Sequence, residues 1–236
     1  MNQDSGSVPK RKPATSRGAR TRSKLLRAAE AVFADKGYEH GSIADIAMTA
    51  QVALGTFYVY FPDKKAAFIE LVEELGSLLR DALSAAIADI DDRLEVEREG
   101  LRAFLSFTAE HRGLYRIVRQ AEFVDEPTYR RYYSALAEAY AAGLERAMDA
   151  EQVRRLDPEA LAYCLMGLAD FLGMRWVLWE KKGDDLERVL DSAVSFLQYG
   201  LAPVGEAPAS APRPKRSASG EKKAPAKKGG KKKGKA

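Results

Sequence analysis

The chain is 236 residues long and has one cysteine, Cys164. No internal disulfide can form, and a reducing cytoplasm is the simple reading. Histidine is almost as scarce: His40 and His111 are the only two, and neither sits in metal-ligand spacing, so no metal is expected. There is no phosphate-binding loop, no nucleophile elbow and no Cys–His pairing. Acidic pairs such as Asp91-Asp92 read as loop charge. Catalysis therefore has little support, and no cofactor is expected. No apolar run approaches the ~20 residues of a membrane span. The basic N-terminus leads into no apolar segment, so it does not read as a secretory signal, and no membrane partner is expected. Period-two alternation and internal repeats are also missing. An all-α protein is what remains.

What is present is an uneven distribution of charge. Residues 1 to 24 hold seven Lys and Arg against Asp4, a net of +6. Residues 203 to 236 hold eleven against Glu206 and Glu221, a net of +9. The total of +4 leaves the body between them at −11. An acidic body with two basic arms confines polyanion contact to defined places.

The most informative stretch runs from Ser42 to Lys64, SIADIAMTAQVALGTFYVYFPDK. Ser42 can cap a helix, with Asp45 bonding back in the manner of a capping box. Ile43, Ile46, Ala47 and Ala50 recur at helical spacing, and Ala47 is small enough for a second helix to cross close above it. Gln51-Val52-Ala53 is a tight turn, and Leu54 to Phe61 is the second helix. Two short helices in this arrangement are a helix-turn-helix, whose second helix enters the major groove. Phe57 and Phe61 share the inward face. Thr56, Tyr58 and Tyr60 then point elsewhere, where hydroxyls reach phosphates or base edges and rings lie against sugars or thymine methyls. The same two tyrosines would equally serve to cover a small core.

KLLRAAEAVFADKGYEHGSIADIAMTAQVALGTFYVYFPDKKAAFIELV resembles the N-terminal domain of the tetracycline-repressor (TetR) family of transcriptional regulators. The residues that carry the resemblance are Ala28-Ala29, Phe33, Gly37, Ile46-Ala47, Gly55-Thr56-Phe57-Tyr58, Phe61 and Lys64, within roughly residues 21 to 75. The resemblance implies about nine helices: an N-terminal helix-turn-helix domain and a helical C-terminal domain that binds an effector and dimerises. It implies DNA contacts from Ser42, Gly55, Thr56, Tyr58, Tyr60 and Lys64, with Lys64 holding a phosphate. Three positions depart from the pattern. Gln51 stands where the family often has Gly. Ala53 replaces a common capping Ser, and Leu54 replaces a frequent polar or basic residue.

Helix signals follow along the chain. The first helix spans about Thr21 to Lys36, with Gly37 as its C′ residue. The fourth runs from Lys64 to about Ala88, and an acidic break covers Asp89 to Asp92. Further helices are expected at about 95–109, 112–121, 126–150, 158–181 and 184–199, with Pro127 and Pro158 in first turns. Domain boundaries follow: 1–18 a disordered basic arm, 19–64 the DNA-binding domain, 65–201 the effector and dimerisation domain, and 202–236 a disordered Lys-rich tail.

The second half is rich in aromatics, and a pocket for an apolar or acyl-type effector among its helices is expected. Phe104, Tyr115, Arg119, Tyr133 and Trp176 are the candidate ligand residues. Arg112, Arg116 and Arg119 fall at i, i+4 and i+7 on one face, placed either to meet an anionic ligand or to face solvent. By the resemblance, the last two helices pair with those of a second copy. The candidate dimer residues are Leu161, Leu165, Leu168, Leu172, Leu190, Val194 and Leu197. An ordinary core would use the same residues.

The tail reads as a sequence-independent phosphate contact, or alternatively as a solubility segment. The function expected is a homodimeric, ligand-responsive regulator, a repressor that binds a double-stranded, near-palindromic operator and is released by a small-molecule effector. A rival reading is an architectural DNA-binding protein dominated by its basic arms. A second is a ligand-binding helical module without DNA function.

Overall fold

The computed structural model describes residues 15–179 and 186–201. The basic arm up to residue 14, the expected break at Lys182-Gly183 and the Lys-rich tail lie outside them. Among the described residues there are nine α-helices and no strand: α1 Ser16–His40, α2 Ile43–Thr49, α3 Leu54–Tyr60, α4 Lys64–Ile87, α5 Arg93–Glu110, α6 Gly113–Val124, α7 Glu126–Asp149, α8 Pro158–Gly173 and α9 Leu186–Leu201.

Helix α1 starts more than a turn before the expected Thr21. Thr15 supplies the reason: its side chain accepts from the Gly18 N–H at 3.1 Å, an N-cap worth ~1 kcal/mol. Arg17 and Arg20 therefore sit on a helix. At the other end, Gly37 has φ 77° and ψ 168°. That left-handed backbone is open to Gly at no steric cost, and the chain leaves the helical path there, as the C′ reading requires.

Ser42 caps α2 in a complete capping box. Its side chain accepts from the Asp45 N–H at 3.0 Å, and Asp45 accepts from the Ser42 N–H at 3.0 Å. The axes of α2 and α3 are bent by 102°. Phe61 is the C-cap of α3 in extended backbone, φ −131° and ψ 128°, as a residue before Pro62 prefers. The helix thus ends at Tyr60, one residue short of the expectation. Asp63 then caps α4 through the Ala66 N–H at 2.7 Å.

One hydrophobic cluster joins α1 through α7, α5 contributing Phe107. Phe33, Phe57, Phe61 and Phe68 are its largest buried rings, and each is worth roughly 1.5–3 kcal/mol of burial. Two smaller clusters lie among α5, α7, α8 and α9. Helix α6 packs tightly on α1: a Cβ at Gly113 would stand 2.6 Å from Ala34 Cβ, so only Gly fits at that crossing.

Helix α8 does not run on as α-helix to the expected end. Met174–Leu178 form a π-helical turn, in which the Trp179 N–H reaches Met174 O at 3.2 Å. The Arg112 guanidinium donates to the Val177 carbonyl within this turn. Pro158–Leu178, 21 residues whose most apolar 18-residue window has a mean hydropathy of 1.4, is long and apolar enough by length and composition to cross a membrane. This corrects the expectation that no run approaches that size. In the folded chain its Ala162, Leu165 and Val177 are buried against other helices.

Candidate DNA-binding surface and effector cavity

Phe57 is fully buried, and it locks α3 onto α1 and α4. With that side fixed, Leu54, Gly55, Tyr58 and Val59 face solvent, Tyr58 at 55% and Val59 at 60% exposure. Thr56 is half-buried beside them. Tyr60 packs partly against the core, so of the two outward tyrosines expected only Tyr58 is free. Met48 at the end of α2 is 71% exposed. Leu54, Val59 and Met48 were not among the candidates. Their signal was an apolar side chain on the face opposite Phe57 and Ile46, and exposed apolar groups beside a recognition helix suit thymine methyls.

The polar candidates have internal duties. The Ser42 hydroxyl donates to Asp45 Oδ2 at 2.7 Å, its N–H donates to the same oxygen at 3.0 Å and its carbonyl accepts from Ile46, so Ser42 is engaged within the capping box. Lys64 does not face outward. Its ammonium donates to Tyr38 O at 2.7 Å, Gly41 O at 3.2 Å and Glu39 O at 3.4 Å, and it lies 4.3 Å from the Tyr38 ring centroid. All three of its N–H donors are thus directed at the loop after α1. In this structure Lys64 fastens that loop to the start of α4.

No Lys or Arg occurs from Ser42 to Asp63. Of the nearby cations, Lys36 pairs with Asp45 at 2.7 Å, Lys65 with Asp125 at 3.1 Å, and Arg22 with Glu70. Arg17, Arg20 and Lys24 on α1 are exposed. Arg27, further along α1, is exposed as well.

A cavity of about 880 Å³ lies among α4 to α8. Phe104, Tyr115, Arg119 and Tyr133 line it, as expected of the ligand candidates. Trp176 does not. It lines a shallower pocket of about 240 Å³ against α9, because the π turn rotates it away. Tyr115 donates to the Asp170 carbonyl at 2.8 Å. Burial, and then the nearby Asp170 carboxylate, pushes the Tyr115 hydroxyl well above its usual range. Burial likewise raises Tyr132 and Tyr133. These phenols stay neutral, and Tyr115 serves as a hydrogen-bond donor.

The three arginines at i, i+4 and i+7 do not share a site. Arg112 holds the π turn, and Arg116 donates to the Ala34 and Asp35 carbonyls at 2.5 and 2.8 Å. Only Arg119 reaches the cavity, 3.7 Å from Asp170. The helix they sit on has two faces: Tyr115, Val118 and Arg119 toward the cavity, and Gly113, Arg116 and Gln120 toward α1. Gln120 accepts the Tyr38 N–H.

The dimer candidates divide. Leu165, Leu190 and Leu197 are buried within the chain's own clusters, and Leu161, Leu168, Leu172 and Val194 are half-buried. The exposed apolar surface of α8 and α9 is instead Tyr163, Phe171, Phe196 and Tyr199, with Cys164 and Gly167 also open. The leucines back this surface; the aromatics form it.

Two short helices crossed near a right angle, with one outward face and a cavity among the following helices, define a helix-turn-helix DNA-binding protein with a ligand-sized chamber. Residues 25–71 match the model of the bacterial regulatory proteins of the tetR family. That stretch is thus similar to the family's N-terminal DNA-binding domain, and over most of its length the chain is similar to HTH-type transcriptional regulators. It is 28% identical over 201 residues to the uncharacterised HTH-type transcriptional regulator YdgC of Bacillus subtilis (strain 168), covering 80% of this chain and 97% of that one. It is 24% identical over 180 residues to the HTH-type transcriptional regulator EthR of Mycolicibacterium smegmatis, covering 76% and 77%. Among solved structures, the fatty acid degradation regulator FadR from Bacillus halodurans superposes with a TM-score of 0.68 at 22% identity, covering 79% of this chain and 96% of that one. FadR from Bacillus subtilis, in complex with stearoyl-CoA, gives 0.64 at 23%, covering 74% and 96%. At such identities the likeness of these structures is one of fold.

Proposed function

We propose that this regulator is a cytoplasmic, nucleoid-associated homodimeric repressor that binds a near-palindromic operator and releases it when a small effector with an apolar chain fills the cavity. The observation that carries the reading is α6. One of its faces lines the cavity, and the other caps and clamps the end of α1, which with α4 supports α3. A ligand that shifts α6 therefore bears on the recognition helix, and it moves the DNA affinity by its differential affinity for the two arrangements.

Two further features support it. The exposed face of α3 is small, and one such helix reads few base pairs. Two related by a twofold axis read half-sites about one turn apart. The aromatic surface of α8 and α9 offers the self-complementary patch that such a pairing needs. On the DNA side, Tyr58, Gly55, Thr56, Leu54 and Val59 carry the groove contacts, and Ser42 and Tyr60 flank them. The complex of a FadR with stearoyl-CoA supports an acyl-type effector for a chamber of this kind.

The test is a footprint of the full chain on its own upstream region at near-physiological salt, with Tyr58→Ala and Phe171→Asp alongside. A discrete, near-palindromic protected site is expected, lost with Tyr58→Ala. Phe171→Asp should give a monomer in sedimentation and weaken protection of both half-sites together. Diffuse protection indifferent to Tyr58→Ala would replace this reading with the architectural one.

A further inference from the structure

At the end of the cavity formed by the starts of α5 and the later turns of α7, two guanidinium groups converge. Arg93 is 9% exposed and lines the cavity wall. Its Nη2 pairs with Glu97, itself 4% exposed, and the Tyr140 hydroxyl donates to the other oxygen of Glu97. Arg93 also lies 5.6 Å from the Tyr140 ring centroid. Its Nε is buried and has no hydrogen-bond partner. A buried donor left without a partner costs free energy, and structures rarely keep one without a use for it.

Arg146, one turn past Gly143, brings the second charge. A Cβ at Gly143 would stand 3.2 Å from Arg93 Nη1 and 3.8 Å from Arg146 Nη2. The two nitrogens can be no further apart than the sum of those distances, and the absent side chain leaves a notch between them. Among the described residues no carboxylate is within ion-pair range of Arg146. Asp91 and Arg146 are both exposed at the rim, while Arg93 and Glu97 are buried within it. At the notch two cations face one buried anion, Glu97, and a single negative charge would balance them. Between the notch and α6 the wall is largely apolar, with Leu79, Leu83, Leu101, Phe104 and Leu136, while Arg119 and Asp170 line the chamber beside α6.

We propose that this notch is the anchoring subsite of the effector, and that it takes a carboxylate at the end of an apolar chain. The inference rests on the reading of the cavity as the effector site. The forked guanidiniums match a planar carboxylate in two-pronged geometry. The carboxylate sits between Arg93 Nη1 and Arg146 Nη2, and the chain runs along the leucines toward Tyr115 and Val118 on α6. The anchored end fixes the ligand, and the far end reports its length to the helix that touches α1.

The probes are dodecanoate and dodecanol, which share a chain and differ in charge, titrated calorimetrically into the full chain. Dodecanoate should bind at least about tenfold more tightly than dodecanol, since charge-assisted hydrogen bonds of this kind are worth that factor. Arg146→Gln, on an exposed side chain, should remove most of that margin and leave dodecanol binding unchanged. Gly143→Ala should act the same way by filling the notch, and a melting curve checks that each variant is folded. Equal binding of the two probes would overturn the anion subsite and leave the effector cavity standing. Binding of neither to a folded protein would overturn the effector reading, and this inference with it.

Discussion

Arg116 Nη1 donates to the carbonyl of Asp35 at 2.8 Å, so a helix that lines the cavity caps the last regular turn of α1. A cation at a helix C-terminus stabilises it by both hydrogen bonding and the helix dipole, typically by 0.3–1 kcal/mol. The contact crosses 81 positions of sequence. Together with Gln120 accepting from Tyr38, it is a polar link between the ligand chamber and the DNA-binding helices. Arg116→Ala should leave the affinity for a chain-bearing ligand within about twofold, because the side chain faces away from the cavity. It should lower the ligand's effect on operator affinity several-fold. Binding of operator with and without ligand, measured by anisotropy, gives both quantities. Unchanged coupling would mean that the link is not the route.

The turn of the helix-turn-helix is built from residues that a stability optimum would not choose. Gln51 has φ 51°, a left-handed backbone that costs an L-residue roughly 1–2 kcal/mol. Ala53 caps α3 with no side-chain hydrogen bond. Ala53→Ser should raise stability by ~1 kcal/mol. Gln51→Gly should add up to about 1 kcal/mol after the greater freedom of Gly in the unfolded chain is subtracted. Urea unfolding checks both. If the strained turn serves DNA docking, the stabler variants will bind operator more weakly, and the same samples answer that question.

Sequence periodicity made the nine helices and the inward Phe57 and Phe61 legible, because those features depend on which residues recur and on local caps. The direction of Lys64 was not legible. Its role depends on where the loop after α1 passes, a tertiary fact with no local mark. The three arginines of α6 looked like one site because helical spacing puts them on one face. That face meets three different neighbours along its length. Arg93, Glu97 and Tyr140 were missed for the opposite reason: they are far apart in sequence or look like ordinary helix-surface charges, and only packing brings them together. The dimer leucines were found by hydrophobicity, which selects the buried side of α8 and α9, while the surface available to a partner is marked by exposed aromatics.

Asp45 gives the fold an acid limit at the joint between α1 and α2. Its carboxyl is held at about 2, down from 3.8, first by the hydrogen bond from Lys36 and then by the Ser42 hydroxyl and N–H. The unfolded chain therefore takes up this proton before the folded one does. The resulting stability is fully present above the unfolded value and is lost as pH falls from about 4 toward 2. Asp45→Asn should be less stable than the parent at neutral pH and should show a flatter stability profile between those limits. Helix content followed by circular dichroism through an acid titration measures the difference. Parallel profiles for the two proteins would show that the Lys36 contact does not hold in solution.

The recognition helix must find its phosphate charge elsewhere. There is no Lys or Arg from Ser42 to Asp63, and Lys36, Lys64 and Lys65 are engaged within the chain. The tail from residue 203 carries a net +9, and each phosphate it neutralises steepens the dependence of log K on log salt by about 0.9. A chain ending at Leu201 should therefore bind operator more weakly, with a shallower salt slope, and should lose affinity for scrambled DNA by a similar factor. The preference for operator over scrambled sequence is held by α3 and should stay nearly constant. Tyr58→Ala in the full chain should do the reverse, keeping the slope and losing the preference. Titrations at several salt concentrations on both DNAs separate the two roles. If the shortened chain kept the parent's slope, the tail would have no part in phosphate contact, and the exposed Arg17, Arg20 and Lys24 would be left to supply it.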